Sequence, residues 1–226
     1  MFLIGIPLSN GELHIETMKS IMNFRDKLML CGVASDIQYN IGSLITRQRN
    51  DILKKFMEND KYDYLLFIDN DVSNFEDYIL DNTIFLKDYE KSICGLTYRK
   101  KTFNNGNENI FNVNLKYSIQ HTLKKHKNNF IKVKHIPTGC LLIPKTTMNE
   151  MMKYYPNRAK TYNFFDVEVV DDMYLSEDYF FCHLLNLMGG SVISRLDTNV
   201  KHHLSNICFD GTLKEYLNNL TKKISN

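Results

Sequence analysis

Residues 64–72 read YLLFIDNDV, an apolar run that enters Asp69, Asn70 and Asp71 without a break. Residues i and i+2 of an extended segment project to the same side, so the two carboxylates are expected to converge on one point. Two such anions repel without a counter-charge, and one is driven to hold its proton. A divalent cation removes that cost. Magnesium and manganese take oxygen ligands and leave positions open for substrate phosphates. The competing reading is an Asx-rich turn after a strand, because Asn and Asp favour turns. The pair by itself does not choose between them.

The elements that position the pair follow from hydrophobic periodicity. FLIGIP reads as a strand. Residues 14–30 place Ile15, Met18, Ile21, Met22, Phe24 and Leu28 near helical spacing, with Gly32 as terminator. GVASDIQY is a second strand. SLITRQRNDILKKFMEN is a helix with Ser43 as its expected N-cap and Leu44, Ile45, Ile52, Leu53 and Phe56 as core candidates. YDYLLFID, FEDYILDNTIFLKD and KSICGLTY continue as strand, helix and strand. This alternation predicts a largely parallel α/β sheet flanked by helices. Asp69 and Asp71 then sit at the carboxyl end of the third strand, the edge where open α/β sheets bind ligands.

Beyond Tyr98 the pattern changes. Residues 99–129 are polar, rich in Asn and Lys, and lack helical periodicity, which predicts a mobile loop or a short antiparallel excursion. FIKVKHIP, TGCLLIPK and SVISRL read as strands, and residues 146–155, residues 176–188 and TLKEYLNNLTKKI as helices. No internal repeat or linker separates two units, so residues 1–226 are expected to form a single domain.

The composition excludes several function classes. A hydrophobic content of 43% and an aromatic content of 12% supply a substantial core and rule out a disordered chain. A formal net charge of +2 is too small to argue for nucleic acid, and the basic segment carries no nucleic-acid-binding motif. The distribution of charge says more: residues 99–135 hold nine Lys or Arg and one acid, whereas residues 161–182 hold six acids and no Lys or Arg. Brought to one cleft, the two segments would hold a polyanion and a cation. Cys31, Cys94, Cys140, Cys182 and Cys208 form no CxxC pair and suggest thiols in a reducing compartment. MFLIGIP is short, has no basic residue before it and stops at Pro7, so it reads as a strand and not a signal peptide. No stretch approaches the roughly 20 apolar residues that span a bilayer. A soluble, cytoplasmic protein is the expectation.

Five segments in order resemble the nucleotide-sugar glycosyltransferases of the GT-A fold, of the family 2-like, DxD-containing kind. SLITRQRNDILKKFMENDKYDYLLFIDNDV resembles their Arg-Asn-bearing helix and the strand ending in DxD. ICGLTYRKK looks like their Gly-x-Tyr-Pro-Lys-Lys segment, with Arg99 in place of proline. IPTGCLLIPK resembles a Gly-Thr-Gly-Phe strand, with Cys140 at the aromatic position. LSEDYFFCHLLNLMGG looks like the Glu-Asp-x-x-Phe helix, and HLSNICFDG resembles a late His-x-Gly segment with Ser205 replacing glycine.

The resemblance implies a Rossmann-like GT-A domain with a nucleotide-binding half at 1–98, an acceptor and catalytic half at 99–211 and a C-terminal helix at 212–226. It implies transfer of a sugar from a UDP- or GDP-linked donor to a glycan, protein or small-molecule hydroxyl. The implied donor site comprises Pro7, Ser43, Arg49, Asn50, Asp69, Asn70, Asp71, Tyr98, Lys100, Lys101 and Gly139. Asp69, Asp71 and His203 would hold Mn2+ or Mg2+, and the added imidazole tilts the choice toward manganese. His203 is preferred over His202 because its spacing to Phe209 and Gly211 fits the family better. Asp178, beside Glu177, would be the general base of an inverting displacement. Each residue also has a structural reading: Glu177 and Asp178 as helix-terminal acids favoured by the dipole, Arg49 as an ion-pair partner, and Lys100 and Lys101 as a solvated charge run.

Two rivals remain. A haloacid-dehalogenase-type phosphatase also ends an apolar strand in Asp-x-Asp, and VEVVDDM at 167–173 imitates its later acidic pair. That signature normally lies on a first strand, whereas two βα units precede Asp69 here. The other rival is a non-catalytic module that binds a nucleotide sugar without turnover.

Overall fold

The computed structural model describes residues 1–102, 111–124 and 126–225. In chain order the elements are β1 (Phe2–Leu8), α1 (Ile15–Leu30), β2 (Ser35–Ile41), α2 (Ile45–Met57), β3 (Tyr64–Ile68), β4 (Val72–Ser73), α3 (Ile79–Leu86) and β5 (Ser92–Gly95). The second half runs β6 (Asn114–Leu115), α4 (Ile119–Lys124), β7 (Phe130–His135), β8 (Cys140–Pro144), α5 (Lys145–Tyr154) and α6 (Pro156–Ala159). It closes with β9 (Glu168–Val170), β10 (Met173–Leu175), α7 (Glu177–Leu187), β11 (Ser191–Arg195), β12 (Lys201–Leu204), β13 (Ile207–Phe209) and α8 (Leu213–Ser225).

Among the described residues the main sheet has eight strands in the order β2-β1-β3-β8-β5-β11-β7-β6. β1 pairs in parallel with β2 and β3, and β5 with β11. β8 enters antiparallel between β3 and β5, and β7 runs antiparallel to β11 and β6. Six of the eight strands therefore share one direction, as the α/β alternation predicts, and β7 and β8 oppose it. Strand periodicity divides the core. Leu3, Leu65, Phe67 and Ile93 join a cluster with Ile52, Phe56, Met148 and Phe181 from α2, α5 and α7. Their neighbours Ile4, Leu66, Ile68 and Cys94 join Ile21, Phe24, Leu28 and Ile79 from α1 and α3 on the opposite face. Successive strand residues face opposite sides, so both layers of helices are required.

α1 begins at His14, whose Nδ1 accepts the Glu16 amide, and ends where Gly32 adopts φ +69°, a conformation open to glycine. Its buried face is Thr17, Ser20, Ile21, Phe24 and Leu28, whereas Ile15, Met18 and Met22 face outward. The expected helix is present, but its apolar residues are not all core. α2 starts after Leu44, which caps without a side-chain bond; Ser43 lies exposed before it and is not the N-cap.

Short elements depart from expectation. Within 99–129, α4 is a helical turn and β6 pairs with β7; residues 103–110 and 125 of the expected loop lie outside the described residues. A second sheet joins β13, β12 and β4, and β9–β10 form a separate hairpin. β4 has two residues, too few to show a period, and it exists because β12 pairs with it. No helix among the described residues is long and apolar enough to cross a membrane.

Candidate active site

β3 delivers Asp69 to the end of the sheet, but the next residues are not extended. Asp69, Asn70 and Asp71 turn tightly into β4, with the Val72 amide donating to Asp69 O at 3.3 Å. The turn and the chemical pair are thus the same feature. Its backbone is braced on three sides: Asp69 N donates to Gly139 O at 3.0 Å, His14 N to Asn70 O at 2.8 Å, and His203 N to Asp71 O at 2.8 Å.

A cavity of about 460 Å³ opens over this turn. Pro7, Arg49, Asp69, Asn70, Asp71, Tyr98, Lys100, Glu177 and Asp178, all among the expected site residues, line it. Arg49, 3% exposed, donates through Nη2 to Asp69 Oδ1 at 2.8 Å and through Nε to Glu177 Oε1 at 3.4 Å. Burial alone would depress its pKa, but Asp69 and Glu177 outweigh that and hold it above the ordinary value. One guanidinium therefore ties the DxD turn to the start of α7.

Asp71 takes a different set of partners. Lys101 Nζ pairs with Asp71 Oδ2, and His202 Nε2 lies 3.5 Å from Asp71 Oδ1. Burial pushes this carboxyl up, but the His202 and Lys101 contacts prevail and keep it below the usual carboxylate value. His202 Nδ1 lies 2.8 Å from Arg99 O, an acceptor only, so Nδ1 carries a proton and Nε2 is the ring nitrogen turned toward Asp71.

At Asp178 the balance is reversed. Burial and the neighbouring Glu177 raise its pKa to about 6 against the bonds from Ser176 and Tyr179 N. The Ser176 hydroxyl and the Tyr179 amide both donate to Asp178 Oδ1, the latter at 2.8 Å, which leaves Oδ2 as the freer oxygen. Tyr98 is buried beneath the cavity; burial and the carboxylates Asp69, Asp71 and Asp178 keep its phenol protonated. Gly139 lies behind the turn, where an added Cβ would stand 2.7 Å from Asp69 Oδ2 and collide with the Tyr98 hydroxyl.

Three expected residues fall elsewhere. His203 is buried, bonds Ser73 Oγ at 2.7 Å and stacks on His14 with centroids 4.1 Å apart. Adjacent strand residues face opposite sides, and the register of β12 on β4, with His202 opposite Val72, gives the cavity to His202. Asn50 bonds the 163–165 segment: its Nδ2 donates to Phe165 O at 2.8 Å and its Oδ1 accepts from Phe164 N and Phe165 N. Ser43 is exposed outside the cavity lining. Ser176, Tyr179, Thr138 and Asn112 line the cavity without having been anticipated; only Ser176, next to the Glu-Asp pair, carried a sequence signal. The acidic pair that imitates a phosphatase, Asp171 and Asp172, forms the exposed β9–β10 turn with φ of 49° and 60°.

The donor set suits a divalent cation in part. Asp71 and His202 present oxygen and nitrogen toward one point, while Asp69 is engaged by Arg49. Among the described residues no group of three or more His, Cys, Asp or Glu is placed so that it could hold a metal ion.

No protein-family model matches the chain, and no curated protein matches it in sequence. Among solved structures, A197 from STIV superposes with a TM-score of 0.53 at 16% identity, covering 94% of this chain and 90% of that one. GalNAc-T7, solved with UDP, GalNAc and Mn2+, superposes with a TM-score of 0.52 at 10% identity. The match covers 89% of this chain, which spans 43% of the GalNAc-T7 chain. At these identities the likeness is one of fold. The architecture of this chain, a large mixed sheet flanked by helices, is GT-A-like.

Proposed function

We propose that this chain transfers a sugar from a UDP- or GDP-linked donor to the hydroxyl of a glycan, protein or small molecule. The observation that carries the reading is Arg49, which holds the DxD turn and the Glu177-Asp178 pair as facing walls of one cavity. Asp71 and His202 would hold the Mn2+ or Mg2+ ion; Asp69, paired with Arg49, sits beside them for the donor. When bound, such an ion neutralises charge developing on the leaving diphosphate. Lys100 and Lys101 add positive charge on the same side. Asp178, ionised above about pH 6, accepts the proton of the attacking hydroxyl through Oδ2. Direct attack on the anomeric carbon inverts its configuration. Residues 1–98 carry most of the donor side, residues 99–211 add Lys100, Lys101 and His202 to it and supply the acceptor side and the base, and α8 closes the fold.

The test is thermal stabilisation by UDP or GDP with manganese or with EDTA. A larger rise in melting temperature with manganese is expected, and Asp71→Ala should abolish the difference while remaining folded. Failure of both nucleotides to stabilise the wild-type protein under either condition would overturn the donor reading. An unchanged metal effect in the folded variant would remove Asp71 from the site.

A further inference from the structure

The β9–β10 hairpin leads directly into Ser176, Glu177 and Asp178 and has no role in the chemistry so far. Its inner face packs Val170 and Leu175 against the core. Its outer face is different. Val169 and Tyr174 are directly opposed across the two strands and are 67% and 71% exposed. Val167, two residues before Val169, extends the same face. The next outward position after Tyr174 is Ser176, which lines the cavity and bonds Asp178. At about 3.3 Å per residue, Tyr174 stands roughly 7 Å from that wall.

We infer that this face is the acceptor platform and that it receives a neutral sugar ring of an acceptor glycan. The assignment rests on the glycosyl-transfer reading above and names the substrate class for its second half. A pyranose ring has an apolar C–H face and a hydroxylated rim. The Tyr174 ring beside Val169 matches the first. Asp171 and Asp172, exposed at the hairpin turn, offer carboxylate oxygens to the second. The strip is short and bounded by carboxylates at both ends, Asp171-Asp172 and Glu177-Asp178, a poor bed for an acyl chain. The same acids repel an anionic acceptor. A ring lying on Tyr174 directs the next hydroxyl of its chain toward Asp178.

The chain contains no tryptophan, so Tyr174→Trp installs a unique fluorophore on the platform. The variant would be titrated with maltotriose, cellotriose and N,N′,N″-triacetylchitotriose, with trigalacturonate, and with phosphatidylcholine vesicles. At least one neutral trisaccharide should shift the emission saturably, and Val169→Asp in the same protein should abolish the shift. Trigalacturonate, vesicles, and a Tyr117→Trp protein given the same sugars should show none. Absence of a saturable response to every neutral sugar, an equal response to trigalacturonate, or a response to vesicles in its place would overturn the platform. Nucleotide and manganese stabilisation is measured on the same variant. Donor binding without a sugar response removes the platform and leaves glycosyl transfer standing; a sugar response without donor binding leaves a sugar-binding face and overturns both its acceptor role and the transfer reading.

Discussion

His202 turns Nε2 toward Asp71 Oδ1 at 3.5 Å, while its other ring nitrogen is held by Arg99 O. A ring fixed in this tautomer is oriented as a metal-ligating imidazole is, with its second nitrogen anchored to a carbonyl. The adjacent His203 faces Ser73 and His14 and stiffens the turn from behind.

Substituting the two histidines should therefore give opposite results. Loss of an outer-shell partner typically costs about 10–100-fold in metal affinity, and loss of a ligand at least that much. Calorimetric titration of manganese in the presence of UDP should show such a loss for His202→Ala. His203→Ala should keep its metal affinity within a few-fold and lose stability, because Ser73 Oγ is left unpaired in the core. The reverse pattern would return the ligand role to His203.

Asp178→Asn keeps the size of the side chain and its bonds from Ser176 and Tyr179. It removes the proton acceptor. Turnover should fall by about 10²–10⁴-fold with donor affinity nearly unchanged. A transfer rate close to wild type would exclude Asp178 as the base and direct attention to Glu177.

The raised pKa of Asp178 also has a stability signature. Its folded value of about 6 exceeds the roughly 3.9 of an unfolded aspartate. Between these values the folded state binds more protons than the unfolded one, so raising the pH through this window lowers stability. Asp178→Asn escapes that penalty. Its melting temperature should exceed that of the wild-type protein at pH 8, and the gap should close toward pH 4. A gap that widens on acidification would contradict the environment described for this carboxyl.

Gly139→Ala tests the packing behind the acidic turn. The added methyl displaces Tyr98 or Asp69, and overpacking of this kind costs about 1–3 kcal/mol. Chemical denaturation should show that loss together with weaker nucleotide binding. Adding Tyr98→Phe, which removes the colliding hydroxyl, should recover part of the stability. No recovery would place the strain elsewhere.

Asn50→Ala should act on stability before it acts on the donor. It strands the Phe165 amide, while the Phe164 amide keeps its bond to Tyr162 O, and an unsatisfied buried group costs about 1–3 kcal/mol. A fully stable variant with impaired nucleotide binding would restore Asn50 to the donor site.

The elements with several residues of clear period were legible without coordinates. YLLFI alternates between two helix layers, so its apolar run required a buried strand and put Asp69 at its end. The Glu177-Asp178 pair at a helix start was legible for the same reason: capping and periodicity act over a few neighbouring residues. The extended geometry imagined for Asp69-Asn70-Asp71 was not what the chain adopts. A tight turn there depends on amide bonds to Gly139, His14 and His203, all remote in sequence. Likewise, neighbouring histidines on a strand must face opposite ways, but no local pattern says which faces the cavity. The sequence by itself determined the α/β alternation, the placement of the carboxylates at a sheet edge and the residue types available for chemistry, because these follow from local periodicity. Only the tertiary structure decided that His202 faces Asp71, that Asn50 is a strut and that Arg49 bridges two walls, because register and side-chain partnership are set by contacts between distant segments.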